Sequence, residues 1–419
     1  MELLKKTLED NKNYYIEKLR ELISIDTQVI GHGIDGGKEK KGQEYLENLL
    51  IQMEADSIEK DQLREETMIA SLKKHDEGNL GHDYEGRYNL LAEFKGENSS
   101  KKLVFNGHVD TMPPGNMELW KTDPWTPIIK DNRIYGLGAA DMKSGLMASL
   151  MAVKLIKDAG LKLPIDVTFT SVVDEEGGGN GSISLVNRGI TGDGVVVCEP
   201  SENNIKAAHM GFVFFNIKVK GKALHSGSKW LGINAIEKMM FLIDGLIELE
   251  HNWLMRYKHD LLPPPTLNVG VIKGGSAGST VPDNCEINIC VHYLPEIMSK
   301  EQVVKDIEDS IYRRSQGDFW LKDNLPKISI YQAGGSFETD RNSYFFKKSK
   351  ELINTVIEDS EIVGSPAGND ARLFQNISKI PTIIAGPGNM AQCHSPNEYV
   401  EIDEYLNFIL FYALLILNF

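Results

Sequence analysis

The sequence has few cysteines and an excess of acidic over basic side chains. Four cysteines in 419 residues do not make the disulfide framework of a small secreted protein, so reduced thiols are expected. Lysine and arginine number 45 against 60 aspartates and glutamates, which gives a formal net charge of −15. This balance argues against a nucleic-acid partner, because binding to a phosphate backbone depends on basic side chains.

Long apolar segments are also lacking. The longest apolar run, FILFYALLIL near the C-terminus, has about half of the roughly 20 residues that a membrane-spanning helix needs, so we expect a core helix there. The first residues are charged and amphipathic and have no apolar signal-peptide core. The sequence therefore predicts a cytoplasmic protein without a membrane partner.

A short apolar strand followed by a polar loop recurs along the chain. The segments KLVF, IDVTFTSVV, GVVVC and IPTIIAG precede, in turn, His108, an acidic run that starts at Asp174, Glu199 and the loop of His394. Strands that alternate with helices predict an α/β fold with a central mixed sheet flanked by helices. Ligands of such sheets gather beyond the carboxyl ends of the strands, which is where these polar residues stand.

The middle of the chain has a different order of elements. From residue 210 to residue 332 the pattern predicts β-α-β-β-α-β, the order of a ferredoxin-like α+β sandwich. A chain of 419 residues is also longer than one hydrophobic core usually serves. We therefore expect a discontinuous metal-binding catalytic domain, residues 1–209 and 333–419, and an inserted domain, residues 210–332.

Imidazole and carboxylate side chains are concentrated in the loops after the strands. The candidates are His108, Asp110, Asp141, Glu175, Glu176, Glu199 and His394. These side chains suit zinc and similar divalent ions. If Asp141, Glu176 and Glu199 bind, their three negative charges and one hydroxide balance two divalent cations. Asp141 would be the bridge, since one carboxylate offers an oxygen to each of two ions.

Two further roles follow from the same residues. Asp110 would accept the second ring N–H of His108 and fix its tautomer. Of the adjacent Glu175 and Glu176, one could bind metal while the other takes a proton from the attacking water and gives it to the leaving amine. Each motif alone has a simpler structural explanation, but five loops converge on one chemistry. A nucleotide site at YGLGAAD is not expected, because Asp141 would repel a pyrophosphate.

Six sequence blocks resemble a known family. NGHVDTMPPG, WTPIIKDNRIYGLGAADMKSGLMA, DEEGGGNG, CEPS, GNDARLF and CHSPNEYV are similar, in this order, to blocks of the co-catalytic zinc amidohydrolases, which include N-acetylornithine deacetylase, succinyl-diaminopimelate desuccinylase, aminoacylase and bacterial glutamate carboxypeptidase. The resemblance implies two divalent ions, zinc first and cobalt or manganese as alternatives. It implies one ion held by His108 and Glu199, the other by Glu176 and His394, Asp141 between them, and a cis peptide bond from Asp141 to Met142.

The resemblance also implies roles outside the metal ligands. Glu175 is the implied general base and Asp110 the implied partner of His108. The inserted domain is implied to be a lid and dimerisation domain of a homodimer. His225 in ALHSG is implied to reach the active site of a partner subunit and to stabilise the oxyanion there.

The implied substrate is a small N-acyl amino acid, such as N-acetylornithine or N-succinyl-diaminopimelate, or a short peptide. Glu199 favours a deacylase or carboxypeptidase, since aminopeptidases and dipeptidases of the family commonly have aspartate there. The expected substrate contacts are Gly368, Asn369, Arg372 and His292.

Two positions depart from the family pattern. His292 stands where an arginine often grips the substrate carboxylate, and Ser279 stands near the place of an asparagine that many relatives carry. A carboxypeptidase or dipeptidase and a deformylase of a heterocyclic amine are therefore alternatives within the same chemistry. A catalytically silent metal-binding protein is the alternative from another class, and the complete set of catalytic groups argues against it.

Overall fold

The computed structural model describes residues 1–98 and 100–419 and divides into two compact units. The first unit comprises Met1–Ala207, Thr339–Val363 and Asn369–Phe419, and the second comprises Ala208–Glu338 and Gly364–Gly368. The second unit therefore extends beyond the predicted 210–332. One reason is that Phe337 pairs antiparallel with His209, and another is that the Met210 N–H donates to the Ser365 carbonyl.

The helices of the described residues lie in both units. They are α1 Glu2–Ile23, α2 Lys40–Gln52, α3 Glu65–His75, α4 Ser144–Asp158, α5 Asn180–Asn187, α6 Ala235–Arg256, α7 Lys300–Gln316, α8 Tyr344–Ile353, α9 Ala371–Leu373 and α10 Ile402–Asn418.

The strands of the described residues are numbered in the same way. They are β1 Ser57–Gln62, β2 Tyr88–Phe94, β3 Lys102–His108, β4 Ile128–Lys130, β5 Arg133–Tyr135, β6 Asp166–Val172, β7 Gly194–Val197, β8 Ile205–His209, β9 Gly211–Lys220, β10 Leu224–His225, β11 Thr266–Gly274, β12 Thr280–Val281, β13 Asn284–Tyr293, β14 Lys327–Gly334, β15 Phe337–Glu338, β16 Ile362–Ser365, β17 Thr382–Ile384 and β18 Tyr399–Glu401.

The first unit is built on a mixed sheet with the strand order β1-β2-β6-β3-β7-β17-β8. Strand β3 runs parallel to β6 and β7, and β17 runs parallel to β7, whereas β2 pairs antiparallel with β6. Every residue of β6, β7 and β17 is buried, which is typical of strands covered on both faces. The predicted α/β fold with a central mixed sheet is confirmed.

Helices α4 and α10 supply much of the first unit's core. The C-terminal run predicted as a core helix is part of α10, and its residues 408–416 are all buried. The hydroxyl of Tyr405 on α10 donates to the backbone carbonyl of Tyr15 at 3.0 Å. Among the described residues, none of the helices combines the length and the apolar character needed to cross a lipid bilayer.

The second unit contains a four-stranded antiparallel sheet with the order β11-β13-β9-β14. Residues alternate along β9, and Val213, Phe215 and Ile217 lie in a core with side chains of α6 and α7. The chain order β9-α6-β11-β13-α7-β14 is that of a ferredoxin-like sandwich.

Candidate metal centre

The carboxyl ends of the parallel strands hold the metal-ligand candidates. Because β3, β6, β7 and β17 run in the same direction, the loops that follow them meet at one edge of the sheet. The side chains brought together there, all within the first unit, are His108 at the end of β3, Glu175 and Glu176 after β6, Glu199 after β7, His394 after β17 and Asp141 from the turn before α4.

His108 belongs to two overlapping groups of donor atoms. One group consists of His108, Glu175 and Glu199, and the other of His108, Asp141 and Glu176. In each group the candidate ligand atoms lie within 4.8 Å of one another. Nε2 of His108 is 3.1 Å from Oδ1 of Asp141 and 3.6 Å from Oε1 of Glu199.

Asp141 directs one oxygen toward each histidine. Its Oδ1 is near His108, and its Oδ2 is 3.4 Å from Nε2 of His394, which also lies 2.9 Å from Oε2 of Glu176. This is the geometry expected of a carboxylate between two ions. The peptide bond from Asp141 to Met142 is cis, as the resemblance implied.

Several acidic groups lie close together in the buried part of the site. Burial raises the pKa of Asp110 and of Glu199 to about 8 and raises the pKa of Glu175 well above its ordinary value. For Asp141, burial acts in the same direction, but hydrogen bonds to His108 and His394 hold its pKa far below the ordinary value. Imidazole and carboxylate donors gathered in this way fit divalent cations, which would balance the negative charge.

Removal of bound metal is expected to destabilise the protein. Metal that binds only the folded state contributes about 2.7 kcal/mol when its free concentration is 100 times its dissociation constant. We expect chelation to lower the thermal midpoint and zinc addition to restore it, with metal content followed by mass spectrometry. An identical melting curve for stripped and zinc-loaded protein would show that the cluster holds no ion.

Asp110 supports His108 in another way than predicted. Nδ1 of His108 lies 2.9 Å from the backbone carbonyl oxygen of Asp110, whereas the nearer carboxylate oxygen is 3.7 Å away. The carboxylate accepts a hydrogen bond from the Glu176 N–H at 3.1 Å instead. Asp110 therefore orients the histidine through its backbone. Its side chain joins the end of β3 to residues 174–181, which we call the acidic loop.

Glu398 is a candidate that the sequence pattern did not reveal. It is 1% exposed, and its carboxylate accepts hydrogen bonds from the backbone N–H groups of Gly138, Ala140 and Asp141 at 2.8, 2.7 and 2.9 Å. These bonds fix the turn that presents Asp141. The sequence feature that could have identified Glu398 is its position four residues after His394 in the CHSPNEYV block.

A buried charge network next to the acidic loop was also not predicted from the sequence. Arg87 donates to both Glu39 and Asp174, the latter at 3.0 Å, and Nδ1 of His82 lies 2.8 Å from Asp174. All four side chains are buried. Asp174 has a φ of 62°, a left-handed conformation that is unfavourable for a non-glycine residue. The network holds this residue directly before Glu175.

The predicted substrate contacts of the first unit lie beside the same loop. Arg372 is 3% exposed and donates to Glu77 at 2.9 Å, to the Asn369 carbonyl at 2.6 Å and to the Gly178 carbonyl at 3.1 Å. The Asn369 side chain accepts from the Ala371 N–H at 3.1 Å. Arg372 thus ties the DEEGGGNG loop to the GNDARLF segment, and its contact with substrate stays a prediction.

The remaining predicted residues belong to the second unit. They are His225, Ser279, His292 and Gly368. His225 is exposed, and its Nδ1 accepts from the Gly227 N–H at 3.1 Å. His225 pairs with Thr280, which follows Ser279 directly, so the oxyanion candidate and the departure from the family pattern are neighbours.

A mixed sheet with histidine and carboxylate donors at its edge is an arrangement that suits a metal-dependent hydrolase. The chain belongs to Peptidase family M20/M25/M40, whose model matches residues 104–418.

Two kinds of relative show the range of this similarity. The N-formyl-4-amino-5-aminomethyl-2-methylpyrimidine deformylase of Bacillus subtilis is 32% identical over 78% of this chain and 81% of the relative. A probable succinyl-diaminopimelate desuccinylase of Staphylococcus aureus is 27% identical over 78% of this chain and 84% of the relative. Together with the family match, they place the chain among the M20 family hydrolases that act on amide bonds.

Solved structures share the fold. The M20 family metallo-carboxypeptidase Sso-CP2 of Sulfolobus solfataricus has a TM-score of 0.74 and 20% identity, covering 96% of this chain and 98% of its own. A dinuclear metal-binding M20 peptidase of Bacillus subtilis has a TM-score of 0.67 and 15% identity, covering 98% of this chain and 98% of its own.

Proposed function

We propose that the protein is a two-metal deacylase that cleaves a small acyl group from an amine. The observation that carries the proposal is the position of Asp141, whose two oxygens face His108 on one side and His394 on the other. The metal ligands would be His108, Asp141, Glu176, Glu199 and His394, with zinc as the first choice of metal.

When bound, the ions would polarise the amide carbonyl and make water more acidic. Glu175 takes a proton from the attacking water while the water oxygen bonds to the carbonyl carbon. It returns the proton to the amide nitrogen as the C–N bond breaks. A free carboxylic acid and an amine result. Oε2 of Glu175 is 3.9 Å from Nε2 of His108, a distance that supports the proposed role of Glu175 as the base.

The proposal includes a homodimer formed through the second unit. His225 of the partner subunit would donate a hydrogen bond to the oxyanion that develops on the carbonyl oxygen. The exposure of His225 supports this role, because an exposed donor is available to a substrate.

Two substrate classes are compatible with this function, N-acyl amino acids and N-formyl heterocyclic amines. A specific observation supports the second class. N-acyl amino acids fit the family resemblance and the desuccinylase relative. N-formyl heterocyclic amines fit the 32% identical deformylase and the presence of His292 in place of a carboxylate-binding arginine.

Amine release from a panel of amides tests the function. The panel contains N-formyl, N-acetyl and N-succinyl amines, with dipeptides as a further group, and is measured on metal-loaded enzyme. We expect turnover of at least one N-acyl class. Hydrolysis of dipeptides alone would replace the deacylase by a dipeptidase, and no turnover with two metals bound would contradict the proposal.

Glu398 is proposed to position Asp141 through the backbone, and its substitution tests this. In Glu398→Gln an amide NH₂ replaces one oxygen among three N–H donors, so the turn loses acceptors. We expect metal affinity to fall about 10- to 100-fold, the range for residues that orient metal ligands. Glu398→Asp should recover part of this loss, and both are measured by metal titration.

The matched control is Glu401→Gln, a change on β18 three residues away. Glu401 is partly exposed and pairs with Arg133 on the surface. Its substitution is expected to leave metal affinity unchanged. Equal affinities for the two glutamine variants would show that Glu398 has no positioning role.

A further inference from the structure

A cleft on the first unit lies next to the buried charge network. It has a volume of about 500 Å³, and the charged or titratable side chains that line it are Arg64, Glu65, His82, Asp83 and Glu85. They come from the start of α3 and from the loop between α3 and β2. His82 is only 7% exposed, whereas the other four residues are exposed. The cleft therefore combines one buried imidazole with charged side chains that reach it from the surface.

The imidazole ring of His82 is held along one edge by hydrogen bonds. Its Nδ1 lies 2.8 Å from Oδ2 of Asp174. The Asn180 amide also approaches Nδ1, at 3.2 Å, but it donates to the Asn79 carbonyl at 2.9 Å and to the Tyr84 hydroxyl at 2.8 Å. Because these two bonds use both amide hydrogens, Nδ1 keeps its own proton and donates it to Asp174.

The other ring nitrogen of His82, Nε2, faces the cleft. A Cβ atom at Gly33 would lie 2.5 Å from Nδ1, and one at Gly177 would lie 2.9 Å from Cε1, so that edge of the ring is packed against backbone. His82 lines the cleft with its opposite edge. Within the part of the chain that the structure describes, Nε2 has no hydrogen-bond partner. A neutral His82 therefore directs a free lone pair into the cleft.

This hydrogen-bonding pattern is typical of a metal-binding histidine. Such histidines donate their second ring N–H to a carboxylate or carbonyl, which fixes the tautomer and makes the free nitrogen a better ligand. Asp174 is the carboxylate here, and Arg87 holds it through a hydrogen bond of 3.0 Å. A buried polar atom without a partner costs free energy, so the unpaired Nε2 also indicates a ligand in the cleft.

The charge of the cleft suits a divalent cation. The carboxylates of Glu65 and Glu85 form neither an ion pair nor a hydrogen bond among the described residues, and Asp83 accepts only the Glu85 N–H, at 2.9 Å. Three carboxylates and the guanidinium of Arg64 leave two negative charges, which one divalent ion balances. Imidazole nitrogen and carboxylate oxygens are ligands that zinc and related ions take.

We propose that this cleft is a further metal site, separate from the proposed two-metal cluster. It takes a zinc-like divalent ion on Nε2 of His82 and on carboxylate oxygens of Glu65, Asp83 and Glu85. The ion holds His82 against Asp174, the first residue of the acidic loop, and so supports that loop from the surface side. Because exposed carboxylates must be ordered when the ion binds, we expect a lower affinity than at the buried cluster.

The number of bound ions tests the proposal. Wild-type protein and variants are dialysed against a series of zinc concentrations, and zinc per chain is measured by mass spectrometry. We expect the wild-type protein to bind one ion more than His82→Gln, because glutamine has no ring nitrogen to replace Nε2. Glu65→Gln should weaken the same ion at least tenfold, since the loss of a supporting partner alone costs about 10- to 100-fold.

Glu66→Gln is the matched control for Glu65→Gln. Both side chains are exposed in the first turn of α3, but Glu66 does not line the cleft. A general effect of the lost charge would change both affinities equally. Equal zinc affinities of these two variants, or the same ion count in His82→Gln and the wild-type protein, would overturn the proposal. Glu65→Gln changes an exposed residue, so it tests the site even if His82→Gln does not fold.

The result does not depend on the proposed deacylase function. The readout is a difference in bound zinc between variants of the cleft, and it requires no turnover. If the cluster holds fewer than two ions, the wild-type protein still binds one ion more than His82→Gln, and the two-metal proposal fails alone. A wild-type protein that binds zinc only at the cluster, at every concentration, overturns the cleft site and leaves the two-metal proposal standing.

Discussion

Replacement of Glu175 by glutamine is expected to lower kcat by about 10²- to 10⁴-fold, the range contributed by a general acid–base group. Glutamine keeps the shape of the side chain but cannot take a proton from water. Glu175 is only 14% exposed on its side chain, and burial raises its pKa, which suits a group that must also give the proton back. The rate is measured at saturating substrate on the class found in the amide panel.

The metal content distinguishes a lost base from a lost ligand. We expect Glu175→Gln to keep two ions per chain, because the proposed ligand set does not include Glu175. Glu118→Gln, an exposed change in the same unit, serves as the control for handling and metal loading. Turnover of Glu175→Gln within threefold of that control would show that another group moves the proton.

Replacement of Arg87 by methionine is expected to lower the free energy of unfolding by about 3–5 kcal/mol, the cost of breaking a buried ion pair. Arg87 is 2% exposed, and its removal leaves the carboxylates of Glu39 and Asp174 buried without their cation. Asp174 would also lose support for its left-handed backbone beside Glu175. Urea denaturation monitored by circular dichroism gives the change.

Arg188→Met is the matched comparison for Arg87→Met. Arg188 pairs with Glu59 and Asp61, but its side chain is 41% exposed. Exposed ion pairs contribute about 0–1 kcal/mol, so only a small loss is expected here. If the two variants lose the same stability, the buried ion pairs of Arg87 contribute no more to the stability of the fold than the exposed ion pairs of Arg188.

The strand pattern was sufficient to predict where the candidate ligands meet. Apolar runs before His108, Glu175 and Glu199 indicated strands, and parallel strands bring the residues after them to one edge. The same argument could not identify Glu398, because the Glu398 carboxylate accepts hydrogen bonds from backbone N–H groups that are more than 250 positions away in the chain. No local periodicity reports such a contact.

Other differences between the predictions and the structure also come from non-local or backbone contacts. Arg87 and Glu39 are far apart in the sequence, and each reads as an ordinary charged residue until the fold buries the pair. The hydrogen bond from His108 goes to the Asp110 backbone, and a side-chain pattern cannot specify a backbone acceptor. The extent of the second unit was missed for the same reason, since Phe337 joins it by pairing with His209.

The most direct test of a two-metal centre is a metal titration of stripped enzyme with amine release and bound metal measured together. We expect little activity without metal and a rise that reaches its plateau at two ions per chain for zinc, cobalt or manganese. A plateau at one ion would contradict the proposed bridging role of Asp141. Full activity of the metal-free protein would contradict the proposed two-metal centre for amide hydrolysis.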